Sequence, residues 1–129
     1  MENYDPAQVP DAEAWLALDE AARIRLALEH HRRARVRLPN ATLHATIHAI
    51  VETQAALGDD TPVRRTLDRL QAEGLGRHEA IHAIGVTLVE QMNNLMRDRG
   101  STGDTSGRYY VALRALTAES WSEPANNGM

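Results

Sequence analysis

The amino-acid sequence predicts an all-α protein, a compact bundle of about five helices that contains an internally repeated pair of histidine-bearing helices. Apolar residues recur at the three- and four-residue spacing of amphipathic helices along most of the chain. Capping residues, prolines and glycines divide it at helix-length intervals. No segment shows the sustained alternation, rich in β-branched residues, that is typical of a strand. The 129 residues fit a single domain.

The first third of the chain begins with an expected extended arm, residues 1–10. Asp11 is placed to cap a short helix, and Asp19 to cap a longer one. Pro39 ends this second helix, because the residue before a proline is disfavoured in the α region. We therefore expect a single helical domain over residues 11–121.

The remaining helices are bounded by the same kind of signal. Asn40 caps a third helix, and the Thr61-Pro62 pair begins a fourth, because proline costs no useful N–H at the first helical position. Gly74 is its C-terminal cap. The expected positions are helices at about 41–57, 61–72 and 77–99, a loop at 100–107, a last helix that carries Tyr109 to Leu116, and a flexible tail at 122–129.

Composition excludes several classes of function. The chain has no cysteine, which excludes disulfides, zinc–thiolate sites and cysteine nucleophiles. Its net charge of −4 disfavours nucleic-acid binding. The apolar runs are too short for a membrane span, and the start lacks the features of a secretory signal. We therefore expect a cytoplasmic protein without a membrane or nucleic-acid partner.

An internal repeat contains the candidate functional residues. The segment around His44 and His48 matches the segment around His78 and His82 at an offset of 34 residues. We interpret the repeat as two related helix pairs that face each other about a pseudo-twofold axis, or as part of a dimer seam. Helical periodicity predicts that the four histidines lie at the edge of the core, clockwise of two inward-facing stripes. The first stripe is Leu43, Ile47, Ile50, Gln54 and Leu57, and the second is Ile81, Ile84, Leu88, Met92 and Leu95.

Two histidines four residues apart on a helix can converge on one metal ion. The two pairs would supply four nitrogens, which suit zinc, nickel, copper or iron, and zinc is our first choice ahead of iron. Glu52 continues the row of His44 and His48 as a further ligand or as a group that orients the imidazoles. His31 could add a ligand, although its spacing does not require one.

Glu79 lies within the string His78-Glu79-Ala80-Ile81-His82, which has the H-E-x-x-H spacing of zinc peptidases. If water takes one coordination position, Glu79 could act as general base in a small zinc-dependent hydrolase. If four protein ligands close the site, the ion is structural. The sequence does not identify a substrate, and enzymatic activity stays open.

Other interpretations remain. The histidines could be structural, each hydrogen-bonded to a local partner, or they could bind an anion such as phosphate. The chain could then be a non-catalytic helical module for interaction or dimerisation, whose partner would be a second copy of itself or another protein. The basic run over residues 29–37 is typical of a solvated helix end.

Two segments carry a family resemblance. Residues 38–54, LPNATLHATIHAIVETQ, and residues 74–85, GLGRHEAIHAIG, resemble a family of small bacterial proteins, domain of unknown function 1841. The similarity covers about residues 5–100, and its most distinctive part is the paired histidine segments with Glu52 and Gln54. The resemblance implies an all-helical cytoplasmic protein and brings no established activity.

Overall fold

The computed structural model describes residues 1–34, 40–97 and 105–121, with only the backbone described for Thr105 and Ser106. Over these ranges the chain forms helices and no strand, which confirms the all-α prediction. The elements are α1 (Ala12–Ala17), α2 (Glu20–Arg33), α3 (Ala41–Ala56), a 3₁₀ turn (Gly58–Asp60), α4 (Val63–Ala72), α5 (Arg77–Arg97) and α6 (Thr105–Ala115).

Side-chain caps begin two of the helices where the sequence predicts them. The Asn40 side chain accepts a hydrogen bond from the Leu43 amide at 3.0 Å at the start of α3. Asp19 accepts one from the Ala22 amide at 2.7 Å at the start of α2. Asp11 precedes α1 but makes no capping hydrogen bond. The predicted caps of α2 and α3 therefore satisfy amides that would otherwise lack partners.

The later boundaries differ from the prediction in two places. α4 begins at Val63, and Pro62 precedes it as the cap residue. α6 already begins at Thr105, so Gly107 is helical rather than part of a loop. Glycine lowers helix propensity by only about 1 kcal/mol, and the packing of Tyr109 and Leu113 into the core outweighs that cost. The predictions for residues 35–39, 98–104 and 122–129 lie outside the described residues.

Two groups of buried apolar side chains form the core, and α3 contributes to both. One group lies between α1, α2 and α3 and contains Trp15, Leu26 and Ala45. The other joins α3 to α4, α5 and α6 through residues such as Val51 and Ile84. α3 is therefore the central helix, and little of its surface is left for solvent.

The burial of α3 corrects the predicted apolar stripe. Leu43 and Leu57 are 49% and 42% exposed, whereas His44 and His48 are 1% and 0% exposed. The histidine side is buried because α2 packs against α3 from one direction and α5 from another. His44, His48 and His82 thus lie inside the bundle rather than at the edge of its core, whereas His78 is half-buried, as expected at the edge.

The N-terminal segment packs against the bundle and is not a simple extended arm. Gln8 donates a backbone hydrogen bond to Asp5 at 3.0 Å, which marks a turn. Tyr4 and Pro6 are buried, and the Tyr4 ring lies 5.5 Å from the ring of Trp15. Burial of the aromatic ring explains why this segment folds back onto the helices.

The last residues of α5, 92–97, are exposed among the described residues. Met92, Leu95 and Met96 are exposed there, although Met92 and Leu95 were expected on the apolar stripe. Among the described helices, none combines the length and the hydropathy needed to cross a bilayer.

Candidate metal centre

The six histidines of the chain meet where three helices pack together. The helices α2, α3 and α5 each contribute two rings, which form one continuous cluster: His30 and His31, His44 and His48, and His78 and His82. In each helix, both histidines lie on the side that faces the other two helices. The packing of α2 adds a third pair to the two that the repeat predicts.

The repeated histidines are arranged about a local twofold axis. The ring centroids of His44 and His82 are 5.1 Å apart, and those of His48 and His78 are also 5.1 Å apart. Within the helices, the separations are 4.7 Å for the first pair and 4.4 Å for the second. The segments therefore cross antiparallel, as the pseudo-twofold interpretation of the repeat requires.

His31 joins this arrangement from α2. Its ring centroid lies 4.2 Å from that of His44 and 5.1 Å from that of His48. One nitrogen each from His31, His44, His48 and His78 lies within 4.8 Å of all the others. Tetrahedral zinc with Zn–N bonds of about 2.0 to 2.1 Å places its nitrogens about 3.3 Å apart. A small inward movement of the four imidazoles would therefore bring their nitrogens to bonding distance from one ion.

Sequence spacing does not reveal His31, because it lies on a helix outside the repeat. A weaker signal supports the expectation that His31 could add a ligand. His31 follows Ile24 and Leu28 on one face of α2, so helical periodicity places it on the inner side. Its location beside His44 depends on how α2 packs against α3.

The hydrogen bond of His31 directs its second nitrogen into the cluster. Nδ1 lies 2.7 Å from the carbonyl oxygen of Ala27, one turn earlier in α2. A carbonyl can only accept, so Nδ1 carries the proton and Nε2 keeps its lone pair. Nε2 of His31 and both ring nitrogens of His44 are buried without a hydrogen-bond partner among the described residues.

Burial keeps these imidazoles neutral. Burial, together with the neighbouring imidazoles, lowers the pKa of His44 to about 3. Burial likewise lowers the pKa of His31 and His48. Neutral imidazole is the form that coordinates a metal, so the rings are in their ligating state at neutral pH.

Glu52 lies behind His48 and is fully engaged by other residues. Its two oxygens accept hydrogen bonds from Arg77 at 2.7 and 2.8 Å, and one of them also accepts from the Tyr4 hydroxyl at 2.6 Å. The Tyr4 oxygen lies 3.1 Å from Nδ1 of His48. Tyr4 and Arg77 were not among the candidate residues from the sequence, because neither belongs to a recognisable motif.

His82 and Glu79, the other two candidates, lie on α5. The ring of His82 is buried and lies 4.4 to 5.2 Å from those of His78, His44 and His48. Its nitrogens are not among the four that converge. Glu79 is half-buried beside His78, and its carboxylate is not in the converging group either.

Compared with known proteins, the chain matches no family model, no curated protein and no solved structure. The resemblance to the domain of unknown function 1841 family therefore stays a prediction from the sequence. What the site can bind has to be inferred from its own residues.

Proposed function

We propose that the protein binds a divalent transition-metal ion through His31, His44, His48 and His78. One observation carries the proposal: a nitrogen from each of these four imidazoles lies within 4.8 Å of the others inside the bundle. The residues come from three helices, so helical spacing alone does not bring them together. Convergence of four potential ligand atoms is typical of a metal site.

The cost of burying these nitrogens supports the same conclusion. A buried polar atom without a hydrogen bond destabilises a protein by about 1–3 kcal/mol. His44 has two such atoms, and Nε2 of His31 and Nε2 of His48 are in the same condition within the described part of the chain. A bound ion would satisfy one lone pair from each ring and offset this cost.

The ligand set favours zinc. Neutral imidazoles suit zinc, copper, iron and nickel, whereas carboxylate-rich sites suit magnesium, calcium and manganese. The chain has no cysteine to supply thiolates, and the nearby carboxylate of Glu52 is paired with Arg77. Structural zinc takes four ligands in a tetrahedral arrangement, and imidazole nitrogen is one of its usual ligands. Zinc was also our first choice from the sequence.

A structural role for the ion agrees best with the geometry. Four protein ligands would close the coordination sphere and leave no position for a reacting water. The hydrolase hypothesis requires His78 and His82 to bind the ion together with Glu79 beside them, but only His78 of these belongs to the converging set. We therefore propose that the ion joins α2, α3 and α5 and stabilises the bundle.

The decisive experiment is elemental analysis of protein purified without a polyhistidine tag. We expect one transition-metal ion per chain, and we expect zinc added to chelator-treated protein to raise its melting temperature. A ligand concentration of 100 times Kd stabilises by about 2.7 kcal/mol, which for a domain of this size is roughly 10 °C.

Two variants make the metal experiment specific. His44→Gln should abolish the zinc-dependent rise, because it removes a central ligand. His30→Gln is the matched control, because His30 belongs to the same ring cluster but not to the converging four. Zinc should still raise the melting temperature of this variant. Unaltered melting of the wild-type protein with zinc, together with metal-free purified protein, would contradict the proposal.

The second candidate function is a helical module that associates with a copy of itself. Its support is a set of exposed apolar side chains: Met92, Leu95 and Met96 on α5, and Val111 on α6. The three- and four-residue spacing of the α5 residues places them on one helix face, and contiguous exposed apolar groups are typical of association sites. Light scattering after size-exclusion chromatography should show a dimer that persists in chelator, and a monomer at all concentrations would exclude this function.

A further inference from the structure

A chain of hydrogen bonds extends from His48 away from the histidine cluster. Nδ1 of His48 lies 3.1 Å from the Tyr4 hydroxyl oxygen, and that hydroxyl lies 2.6 Å from Oε2 of Glu52. Arg77 donates to both carboxylate oxygens of Glu52. All four side chains are buried, so water does not compete for these bonds.

The direction of each hydrogen bond follows from the donors present. Both oxygens of Glu52 accept from Arg77, so Glu52 is also the acceptor toward Tyr4. The Tyr4 hydroxyl therefore donates its proton to Oε2 of Glu52. Since Tyr4 has one proton and gives it to Glu52, its oxygen accepts from Nδ1 of His48.

His48 is therefore protonated on Nδ1, and its Nε2 lone pair is available to the cluster. Nε2 of His48 is buried without a hydrogen-bond partner among the described residues. His31 reaches the same tautomer through the carbonyl oxygen of Ala27. Metal-binding histidines generally donate their second N–H to a carboxylate, carbonyl or water, which fixes the ring and its tautomer.

We infer that Tyr4 is a positioning residue for the metal centre, held by Glu52 and Arg77, and that it presents Nε2 of His48 to the ion. The inference rests on the proposed metal binding. It assigns a role to the N-terminal segment, because a residue outside the helices completes the surroundings of a ligand on α3. Glu52 acts through Tyr4 rather than as a ligand.

The N-terminal segment is held in the place that this role requires. The carbonyl oxygen of Pro6 accepts a hydrogen bond from Arg77 at 3.0 Å, and the carbonyl oxygen of Tyr4 accepts one from Arg33 at 3.4 Å. The Tyr4 ring also packs against Trp15. Arg77 thus orients both the carboxylate that Tyr4 contacts and the segment that carries Tyr4.

Tyr4→Phe tests the inference, because it removes the hydroxyl and keeps the aromatic ring. Tyr109→Phe is a matched control: Tyr109 is also buried, and its hydroxyl donates one hydrogen bond, to Gln54 at 2.7 Å, outside the cluster. Zinc affinity is measured by competition with a chelator, and circular dichroism checks folding. We expect Tyr4→Phe to weaken zinc binding by roughly 10- to 100-fold and Tyr109→Phe to leave it unchanged.

Equal affinities of wild type and Tyr4→Phe, or equal losses in the two variants, would overturn the inference. A second readout does not depend on zinc. In metal-free wild-type protein, ¹⁵N chemical shifts should show His48 protonated on Nδ1, and Tyr4→Phe should remove that preference. If zinc does not bind wild type at all, the proposed function fails; if zinc binds but His48 is protonated on Nε2, only the role of Tyr4 fails.

Discussion

Arg77 and Glu52 form a two-pronged ion pair, with nitrogen–oxygen distances of 2.7 and 2.8 Å, between the first residue of α5 and the buried face of α3. Their side chains are 5% and 1% exposed. The next residue after Arg77 is His78, and Glu52 lies one turn after His48. The pair therefore links the two helices that carry the repeated histidines, immediately beside the candidate metal centre.

Removing Arg77 should strongly destabilise the protein. Arg77→Met leaves the Glu52 charge buried without its cation, which costs about 3–5 kcal/mol in comparable pairs. Chemical denaturation measures the change in the free energy of unfolding. The control is Arg64→Met: Arg64 and Asp59 form a solvent-exposed pair at 3.5 Å, for which we expect a change of about 0–1 kcal/mol. Equal effects of the two substitutions would contradict the structural role of the buried pair.

The metal-free protein should lose stability on acidification. The pKa of His44 is about 3 in the folded chain because of burial, against an ordinary value of 6.5, and burial also lowers those of His31 and His48. Between pH 3 and pH 6.5 the unfolded state therefore binds more protons than the folded state. The free energy of unfolding falls as the pH falls through this range. We expect a lower melting temperature at pH 5.0 than at pH 7.5 in chelator. His44→Gln should flatten this dependence; an unchanged slope in that variant would exclude His44 as a cause.

The two possible ligand sets can be separated by one pair of substitutions. The geometry places His31 among the four converging nitrogens, whereas the sequence repeat favours His82. We expect His31→Gln to weaken zinc binding by more than the roughly 10- to 100-fold typical of residues that only support ligands, and His82→Gln to weaken it less. Titration of both variants with zinc against a chromophoric chelator measures the difference. A larger loss in His82→Gln would instead support the ligand set expected from the repeat.

The N-terminal cap of α3 should contribute to stability through one hydrogen bond. Asn40→Ala removes the acceptor of the Leu43 amide, and we expect the free energy of unfolding to fall by about 1 kcal/mol. Asp11→Ala is the matched control, because Asp11 precedes α1 without making a capping hydrogen bond. Urea denaturation of both variants tests this, and a loss in Asp11→Ala as large as in Asn40→Ala would contradict the cap assignment.

Local signals in the sequence were sufficient for most of the helix boundaries. The caps at Asp19 and Asn40 act within one helical turn, so their partners are sequence neighbours. Gly74 ends α4 with a backbone φ of +115°, which side-chain-bearing residues rarely adopt. The composition around Gly107 predicted a loop, but Gly107 lies in α6. The packing of Tyr109 and Leu113 into the core extends the helix over this glycine.

The candidate site was predictable in part. The repeat identified His44, His48, His78 and His82 because a four-residue spacing places two side chains on one helix face. It did not identify His31 or Tyr4. These residues approach the site only through the docking of α2 and of the N-terminal segment, and no spacing along the chain encodes that approach.

Helical periodicity and capping are short-range effects, and for this reason the order of residues already specifies an all-helical chain with paired histidines on its helices. The identity of the converging imidazoles, and the placement of Glu52 behind His48 rather than among them, depend on contacts between residues far apart in the chain. Tyr4 and Glu52 are separated by 48 positions, and Arg77 and Glu52 by 25. Such contacts form only when the helices pack, because burial of apolar surface, not local backbone preference, selects which faces meet.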